Sequence, residues 1–184
     1  RNAAWPETAM RADLARVAEM ARAEREDTST PDTRLADARI EFNPASVTSL
    51  MHAMMGALHI ARPSWAPTAP NAGGSPLYAR LRYFDPVARR AGVPEDVAAL
   101  IDSMTADETA VTLVNLSPTQ NRTVVIQGGG YGEHRISAVS IDGKSQPVDA
   151  ATVTVRLAPG SGARLVLAMD RYANTPTLKF PWDR

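Results

Sequence analysis

The sequence predicts an α+β protein in which N-terminal helices and a proline-rich strap precede an antiparallel β-sandwich. Three observations support this prediction. Apolar residues recur at helical spacing within residues 1–60, proline and glycine interrupt residues 61–76, and short alternating segments separated by turn signals fill residues 77–184. A chain of 184 residues, 44% of them hydrophobic, is long enough for one domain with a helical appendage.

The helical segment covers residues 1–60. Its first helix is predicted over residues 6–26, because Met10, Leu14, Val17 and Ala21 follow a four-three-four spacing and Pro6 suits a first helical turn. A second helix is predicted over residues 32–42. A third follows the capping signal at residues 43–44, and its apolar face is formed by Val47, Leu50, Met51, Met54, Met55 and Leu58.

The methionines of the third helix allow two interpretations. Met51, Met54 and Met55 lie within five residues, and their unbranched thioethers adapt to irregular surfaces. We favour a helix that packs into a core, while a groove for a ligand or a partner chain remains the alternative. The proline- and glycine-rich strap, residues 61–76, cannot form a continuous helix or a central strand, and Trp65 is its candidate anchor.

The β-rich part begins with a strand predicted over residues 77–84. Two short helices are then predicted within residues 86–104, since Asp85-Pro86 and Pro94-Glu95-Asp96 are helix-start signals. Five further strands are predicted, and Asp142-Gly143 is typical of a tight hairpin turn. These strands are predicted over residues 110–116, 122–127, 134–141, 151–157 and 163–169.

The tail, residues 172–184, is too rich in proline for regular structure but carries three aromatic side chains. Tyr172, Phe180 and Trp182 either pack back on the sandwich or contact another polypeptide. We therefore treat Phe180 and Trp182, together with the methionines of the third helix, as candidates for a partner interface.

Composition excludes several classes of function. The absence of cysteine excludes disulfide scaffolds, thiolate zinc sites and a cysteine nucleophile. Twenty basic and twenty acidic side chains give zero net charge, which argues against nucleic acid as a partner. No apolar run approaches the ~20 residues of a membrane span. His, Asp and Glu show no metal-ligand spacing, so no metal or cofactor is predicted.

The glycine loop, residues 128–134, is the segment that most resembles a functional site. Its glycines allow close backbone approach, and Tyr131, Glu133 and His134 supply acid–base groups. These three residues and Trp65 are the candidate ligand-binding residues. A structural interpretation, in which the glycines form a bulge at a sheet corner, is favoured because no further motif accompanies the loop.

Residues 109–172 carry a resemblance to a known class of domain. The strand Val111–Ser117 ends in an Asn-Leu-Ser turn, Arg122–Gln127 forms the next strand, and Val153–Leu165 forms a closing hairpin. This pattern resembles the C-terminal all-β domain that follows the catalytic barrel in many bacterial glycoside hydrolases and related multidomain enzymes. The resemblance covers about a third of the chain and implies a non-catalytic domain that covers one side of a barrel.

The leading hypothesis is therefore a C-terminal portion or subunit of a larger bacterial enzyme, a hydrolase or lyase, without a complete active site of its own. The first residue, Arg1, predicts a processed chain, an expression fragment or a piece of a longer protein. Such a chain, cytoplasmic or exported, is expected to bind another polypeptide. The alternatives are a stand-alone small-molecule or carbohydrate-binding module and a small hydrolase, both using the glycine loop.

Overall fold

The computed structural model describes residues 4–30, 48–56 and 79–183. The helix predicted over residues 32–42, the strap and Trp65 lie outside these described residues. The chain divides into two compact units, Arg1–His52 and Ala53–Arg184. Within the described residues, no helix is both long and apolar enough to cross a membrane.

Helix α1 (Trp5–Glu26) confirms the first predicted helix, with proline in its first turn. Arg11 and Glu7 form an exposed ion pair of 2.7 Å one turn apart on its surface. The apolar stripe of α1 is only partly covered. Met10 and Val17 are half-buried, and Leu14 between them is 65% exposed.

Helix α2 (Thr48–Met55) lies within the third predicted helix, and its last three residues belong to the second unit. In that unit, the hydroxyl of Tyr83 donates to the carbonyl of Met54, and the backbone N–H of Arg80 donates to the carbonyl of Met55 at 2.9 Å. Gly56 follows the helix with a φ of +61°, which favours glycine. These hydrogen bonds attach the end of α2 to the strand that follows.

The second unit contains two antiparallel sheets, as the sequence predicts. Their orders are β2-β1-β5-β8 and β3-β4-β9-β6-β7, with each strand antiparallel to its neighbours. The strands are β1 (Leu81–Asp85), β2 (Arg90–Ala91), β3 (Val97–Met104), β4 (Glu108–Asn115), β5 (Arg122–Gly128), β6 (Arg135–Ile141), β7 (Lys144–Ala150), β8 (Thr152–Leu157) and β9 (Gly162–Asp170).

One hydrophobic cluster draws on both sheets. Leu81 and Ile126 come from the four-stranded sheet, and Leu113, Ile136 and Leu167 come from the five-stranded sheet. All five side chains have a relative exposure of 0%. Alternation along the strands explains this, because every second side chain of a strand lies on the same face.

The two short helices predicted within residues 86–104 are wrong. Asp85 accepts hydrogen bonds from the N–H groups of Val87 and Ala88, each at 3.0 Å, and so stabilises the turn between β1 and β2. The residues assigned to the second helix form β3, in which Val97 and Ile101 are buried and pair with β4. Short apolar runs satisfy both the helical and the extended spacing, and pairing with β4 selected the strand.

Strand β7 has no counterpart in the prediction. Its side chains are mostly exposed, and it lies at the edge of the five-stranded sheet. Pro147, which lacks a backbone N–H, is tolerated in such an edge strand. The turn at Asp142-Gly143 is confirmed: both residues have positive φ, of 51° and 75°, as a two-residue hairpin requires.

Part of the second face of the four-stranded sheet is covered by the tail. Phe84 and Val125 lie opposite each other on β1 and β5, and both are buried. They do not belong to the hydrophobic cluster that draws on both sheets. The ring of Phe84 meets those of Phe180 and Trp182 edge-on, at centroid distances of 5.8 and 5.9 Å. The tail therefore shields a sheet face that would otherwise expose apolar side chains to solvent.

Candidate functional site

The glycine loop connects β5 of one sheet to β6 of the other. Gly129 and Gly132 have φ values of +85° and +72°, a conformation that side chains other than glycine rarely adopt. A side chain at Gly129 would also overlap the carboxylate of Glu133. The N–H of Gly129 donates to the carbonyl of Arg80 at 2.8 Å, which attaches the loop to the residue before β1.

The carboxylate of Glu133 closes the loop on itself. Its Oε2 accepts a hydrogen bond of 2.7 Å from the backbone N–H of Tyr131. Glu133 is half-buried, and its carboxylate lies against Gly129. A carboxylate held by its own loop in this way stabilises the turn, and one of its two oxygens is already engaged.

His134 is buried, with 3% of its surface exposed. Its Nδ1 accepts a hydrogen bond of 3.1 Å from the backbone N–H of Tyr172, whose ring lies edge-on to the imidazole at 4.8 Å. Burial lowers the pKa of His134, and the charges of Arg171 and Arg80 lower it further, against an opposing effect of Glu133. The imidazole is therefore neutral near pH 7, with its Nδ1 lone pair used to hold the tail.

The remaining polar groups of the loop hold the next residues of the tail. The backbone N–H of Asn174 donates to the carbonyl of Glu133 at 3.2 Å, and its side-chain Nδ2 donates to the carbonyl of Gly132 at 3.0 Å. The N–H of Thr177 donates to the carbonyl of Tyr131 at 2.8 Å. The glycine loop is thus the docking site for the tail of its own chain.

Tyr131 is one of the predicted ligand-binding residues that the structure describes. It is half-buried and lines an open cavity of about 370 Å³ with Pro176, Thr177 and Leu178. The structure brings Tyr131, Glu133 and His134 together, but it turns the Nδ1 of His134 and the Oε2 of Glu133 toward backbone N–H groups. Trp65 lies outside the described residues.

The candidate interface residues contact their own chain. Met54 and Met55 pack against the hydrophobic cluster, and the side chain of Met51 lies outside what the structure describes. The rings of Phe180 and Trp182 stack on each other at 5.3 Å, nearly parallel. Of the two alternatives for the tail, these contacts agree with packing back on the sheet.

Two arginines flank the aromatic cluster of Phe84, Phe180 and Trp182. The guanidinium of Arg82 lies 4.9 Å from the ring centre of Phe84, and that of Arg89 lies 5.7 Å from the ring of Trp182. Such contacts are attractive because the ring face is electronegative. The contact of Arg89 with Trp182 adds a directional contact to the tail, and that of Arg82 with Phe84 lies within β1.

Arg80 is a buried charge that the sequence did not single out. It is 8% exposed, and its Nη2 donates to the carbonyl of Thr105 at 2.7 Å, while its Nε has no hydrogen-bond partner among the residues that the structure describes. Burial lowers its pKa, and Arg171 contributes to the same effect. Arg80 ties the turn between β3 and β4 to the glycine loop, and a single arginine at the start of a strand carries no sequence signal of that role.

A groove lies beside the glycine loop, between the tail and the sheet face on which the tail packs. Its volume is about 420 Å³, and its lining includes Gln127, Thr152, Asn174 and Phe180. Sequence reasoning missed this groove, although a glutamine at the end of the apolar run Val124–Ile126 was a visible signal. The groove joins residues of β5, β6, β7 and β8 to a tail that is distant in sequence from β5.

Within the described residues, no group of three or more His, Cys, Asp or Glu side chains is placed to hold a metal ion. The arrangement of the glycine loop suits structural support of the tail, and the groove offers space for a ligand. Comparison of the chain with protein families, with curated proteins and with solved structures finds no match in any of the three.

Proposed function

We propose that this chain is a non-catalytic accessory part of a larger bacterial enzyme that acts on carbohydrate. In this proposal the two sheets pack as a β-sandwich that caps and stabilises a catalytic body, and α1 docks on the same body. The carbohydrate assignment rests on the resemblance of residues 109–172 to the all-β domains that follow glycoside-hydrolase barrels.

The observation that carries the proposal is the exposure of the apolar stripe of α1. Leu14 is 65% exposed at the centre of that stripe, and its neighbours Met10 and Val17 are only half-buried. An amphipathic helix gains most of its stability by burying its apolar face, so this face fits a surface on another polypeptide. We commit to the catalytic body of the same enzyme as that polypeptide.

Two features of the second unit support a non-catalytic role. The Oε2 of Glu133 and the Nδ1 of His134 are both engaged by backbone N–H groups. The hydrophobic cluster draws on both sheets, which is the packing expected of a sandwich that is stable by itself. A domain built in this way stabilises a neighbour through its surface and leaves chemistry to the catalytic body.

The test is a native mass measurement on the protein taken from its source. We expect a species heavier than the 19.8 kDa of this chain, in which the additional polypeptide carries activity on glycosidic bonds. A lone species of 19.8 kDa would refute the proposal.

A matched pair of variants localises the contact. Leu14→Glu places a charge at the centre of the stripe and should weaken association with the catalytic body by tenfold or more, or about 1.4 kcal/mol. Ala12→Glu adds the same charge to an exposed position about 200° around the helix and should leave association unchanged. Equal effects of the two variants would show that the stripe is not the contact.

A further inference from the structure

The groove beside the glycine loop has the size of a small-molecule site. Its volume of about 420 Å³ falls within the ~300–1,000 Å³ typical of ligand pockets. One wall is the end of the pairing between β5 and β8, where Gln127 and Thr152 lie opposite each other and therefore on the same sheet face. The other wall is formed by the tail.

The groove presents groups that both donate and accept hydrogen bonds. Gln127 is only 4% exposed, and its Nε2 makes one long hydrogen bond of 3.3 Å to the carbonyl of Gly129. Within the described residues its Oε1 receives no hydrogen bond. Asn174 uses its Nδ2 on Gly132, which leaves its side-chain oxygen as an acceptor, and the hydroxyl of Thr175 is likewise unpaired among the described residues.

The groove also has an apolar wall that is fixed in place. Phe180 and Pro181 line it, and Phe180 is 37% exposed. The stacking of Phe180 on Trp182 and its edge contact with Phe84 hold the ring before any ligand arrives. A ring ordered in advance adds apolar contact area at little cost in conformational entropy.

The charges around the groove balance. Arg135 donates to Asp170 at 2.7 Å and lies 3.4 Å from Asp149, and these carboxylates raise its pKa. Lys179 is the other cation that lines the groove, and Asp149 is a lining carboxylate. Asp170 lies outside the lining and compensates the charge of Arg135 from there. A phosphorylated or carboxylated ligand gains little from such a balanced site, and a neutral one loses little.

We propose that this groove binds a neutral pyranose sugar, as a residue of an oligosaccharide. Sugar hydroxyls donate and accept hydrogen bonds and so match the amides of Gln127 and Asn174 and the hydroxyls of Thr152 and Thr175. The apolar C–H groups of the ring match Phe180. This site is distinct from the predicted site at Tyr131, Glu133 and His134, and it does not require that the accessory-domain proposal be correct.

The test is a titration of the full chain, followed by amide chemical shifts, with cellohexaose, xylohexaose, maltohexaose and mannohexaose as separate probes. We expect at least one probe to bind with a dissociation constant of about 1 mM or tighter and to shift the amides of Gln127, Thr152 and Asn174. Hexagalacturonate serves as the charged probe and should bind more weakly.

A matched pair of variants tests the hydrogen bonds. Thr152→Val removes a hydroxyl in the groove with little change of shape and should weaken binding about three- to tenfold. Thr154→Val makes the same change two residues along β8, at an exposed position on the same face that does not line the groove, and should have no effect. Gln127→Met keeps the length of the side chain and should weaken binding similarly, with thermal unfolding as the check on its fold.

Each other outcome overturns the proposal. If none of the four neutral probes binds, the groove is not a sugar site. If hexagalacturonate binds more tightly than the neutral probes, the ligand is not a neutral sugar. Binding that survives Thr152→Val but is lost in Tyr131→Phe places the ligand at the glycine loop. The accessory-domain proposal fails separately, through the native mass of the protein.

Discussion

The hydrogen bond from the backbone of Tyr172 to His134 makes the docking of the tail sensitive to pH. The Nδ1 of His134 is the acceptor at 3.1 Å, so protonation of this nitrogen turns an acceptor into a donor that faces another donor. Burial is the largest cause that lowers the pKa of the imidazole; of the charged groups around it, Glu133 raises this pKa, and Arg171 and Arg80 lower it further. The net direction is a lowered pKa, so the folded state favours the neutral ring.

The sign of the pH dependence follows from this direction. Below about pH 6.5 the unfolded chain binds a proton at His134 that the folded chain does not bind. The free energy of unfolding therefore falls as the pH falls through this region, and it continues to fall until the lowered folded pKa is reached. The slope from this one group is at most about 1.4 kcal/mol per pH unit.

The assay compares the wild-type chain with His134→Asn. The side-chain oxygen of asparagine can accept the hydrogen bond from Tyr172 but does not titrate between about pH 5 and 8. The free energy of unfolding in urea, measured at about pH 7.5, 6.5 and 5.5, should fall more steeply for the wild type than for the variant. The difference isolates His134 because both chains share every other titrating group.

Amide hydrogen exchange adds a local readout. At the lowest pH, exchange protection at Tyr172, Asn174 and Thr177 should be lost in the wild type before protection of β5 is lost, after correction for the intrinsic pH dependence of exchange. A wild-type profile parallel to that of His134→Asn, or a wild type that gains stability on acidification, would refute the reasoning.

Three further predictions concern stability, measured by chemical denaturation. Phe84→Ala should lower the free energy of unfolding by about 3–5 kcal/mol, because the ring of Phe84 is fully buried. A double-mutant cycle with Trp182→Ala should give a coupling free energy of about 0.5–1.5 kcal/mol, and strictly additive effects would exclude a contact between the two rings. Asn115→Ala should lower the free energy of unfolding by about 1–3 kcal/mol or more, since the buried amide donates to three carbonyls and accepts from one backbone N–H. A smaller loss would show that these hydrogen bonds do not stabilise the fold. Arg164→Ala breaks an exposed ion pair with Asp102 and should lower the free energy of unfolding by less than about 1 kcal/mol, and by less still in high salt. A larger loss that does not depend on salt would contradict an ion pair exposed to solvent.

The parts of the fold that the sequence predicts are those that local pattern alone determines. Runs and alternation of apolar residues predict β4, β5, β6, β8 and β9 to within two residues at each end. The positive φ values at Asp142 and Gly143 follow from the preference of that dipeptide for a hairpin turn. Helix α1 follows from a regular stripe of apolar residues.

The parts that the sequence does not predict depend on partners distant along the chain. Val97, Leu100, Ile101 and Met104 suit one face of a helix, and only the pairing of this segment with β4 makes it a strand. Strand β7 lacks an apolar pattern because it is an edge strand whose one neighbour is β6. Edge strands need fewer buried residues and so leave a weaker signal.

The candidate site shows the same division. The sequence brings Tyr131, Glu133 and His134 together, since they are neighbours in one loop. It does not reveal that Asn174 and Thr177 donate hydrogen bonds to the carbonyl groups of that loop, because those hydrogen bonds join segments about 40 residues apart. A glycine-rich loop with acid–base residues therefore indicates close approach of another group, and in this chain the group is the tail.

The tail also explains why a groove exists beside the loop. The loop holds the tail at residues 172–177, and the aromatic cluster holds it at Phe180 and Trp182, while no tail residue among those described joins a sheet. Gln127 and Thr152 of the sheet therefore line a cavity together with Asn174, Thr175 and Thr177 of the tail. A ligand in that cavity contacts both the sheet and the tail, so its binding is coupled to the docking of the tail. The ligand must stabilise the docked tail by the same free energy by which docking of the tail strengthens binding of the ligand. Protonation of His134 opposes docking of the tail. It must therefore weaken ligand binding in the groove, although His134 does not line the groove.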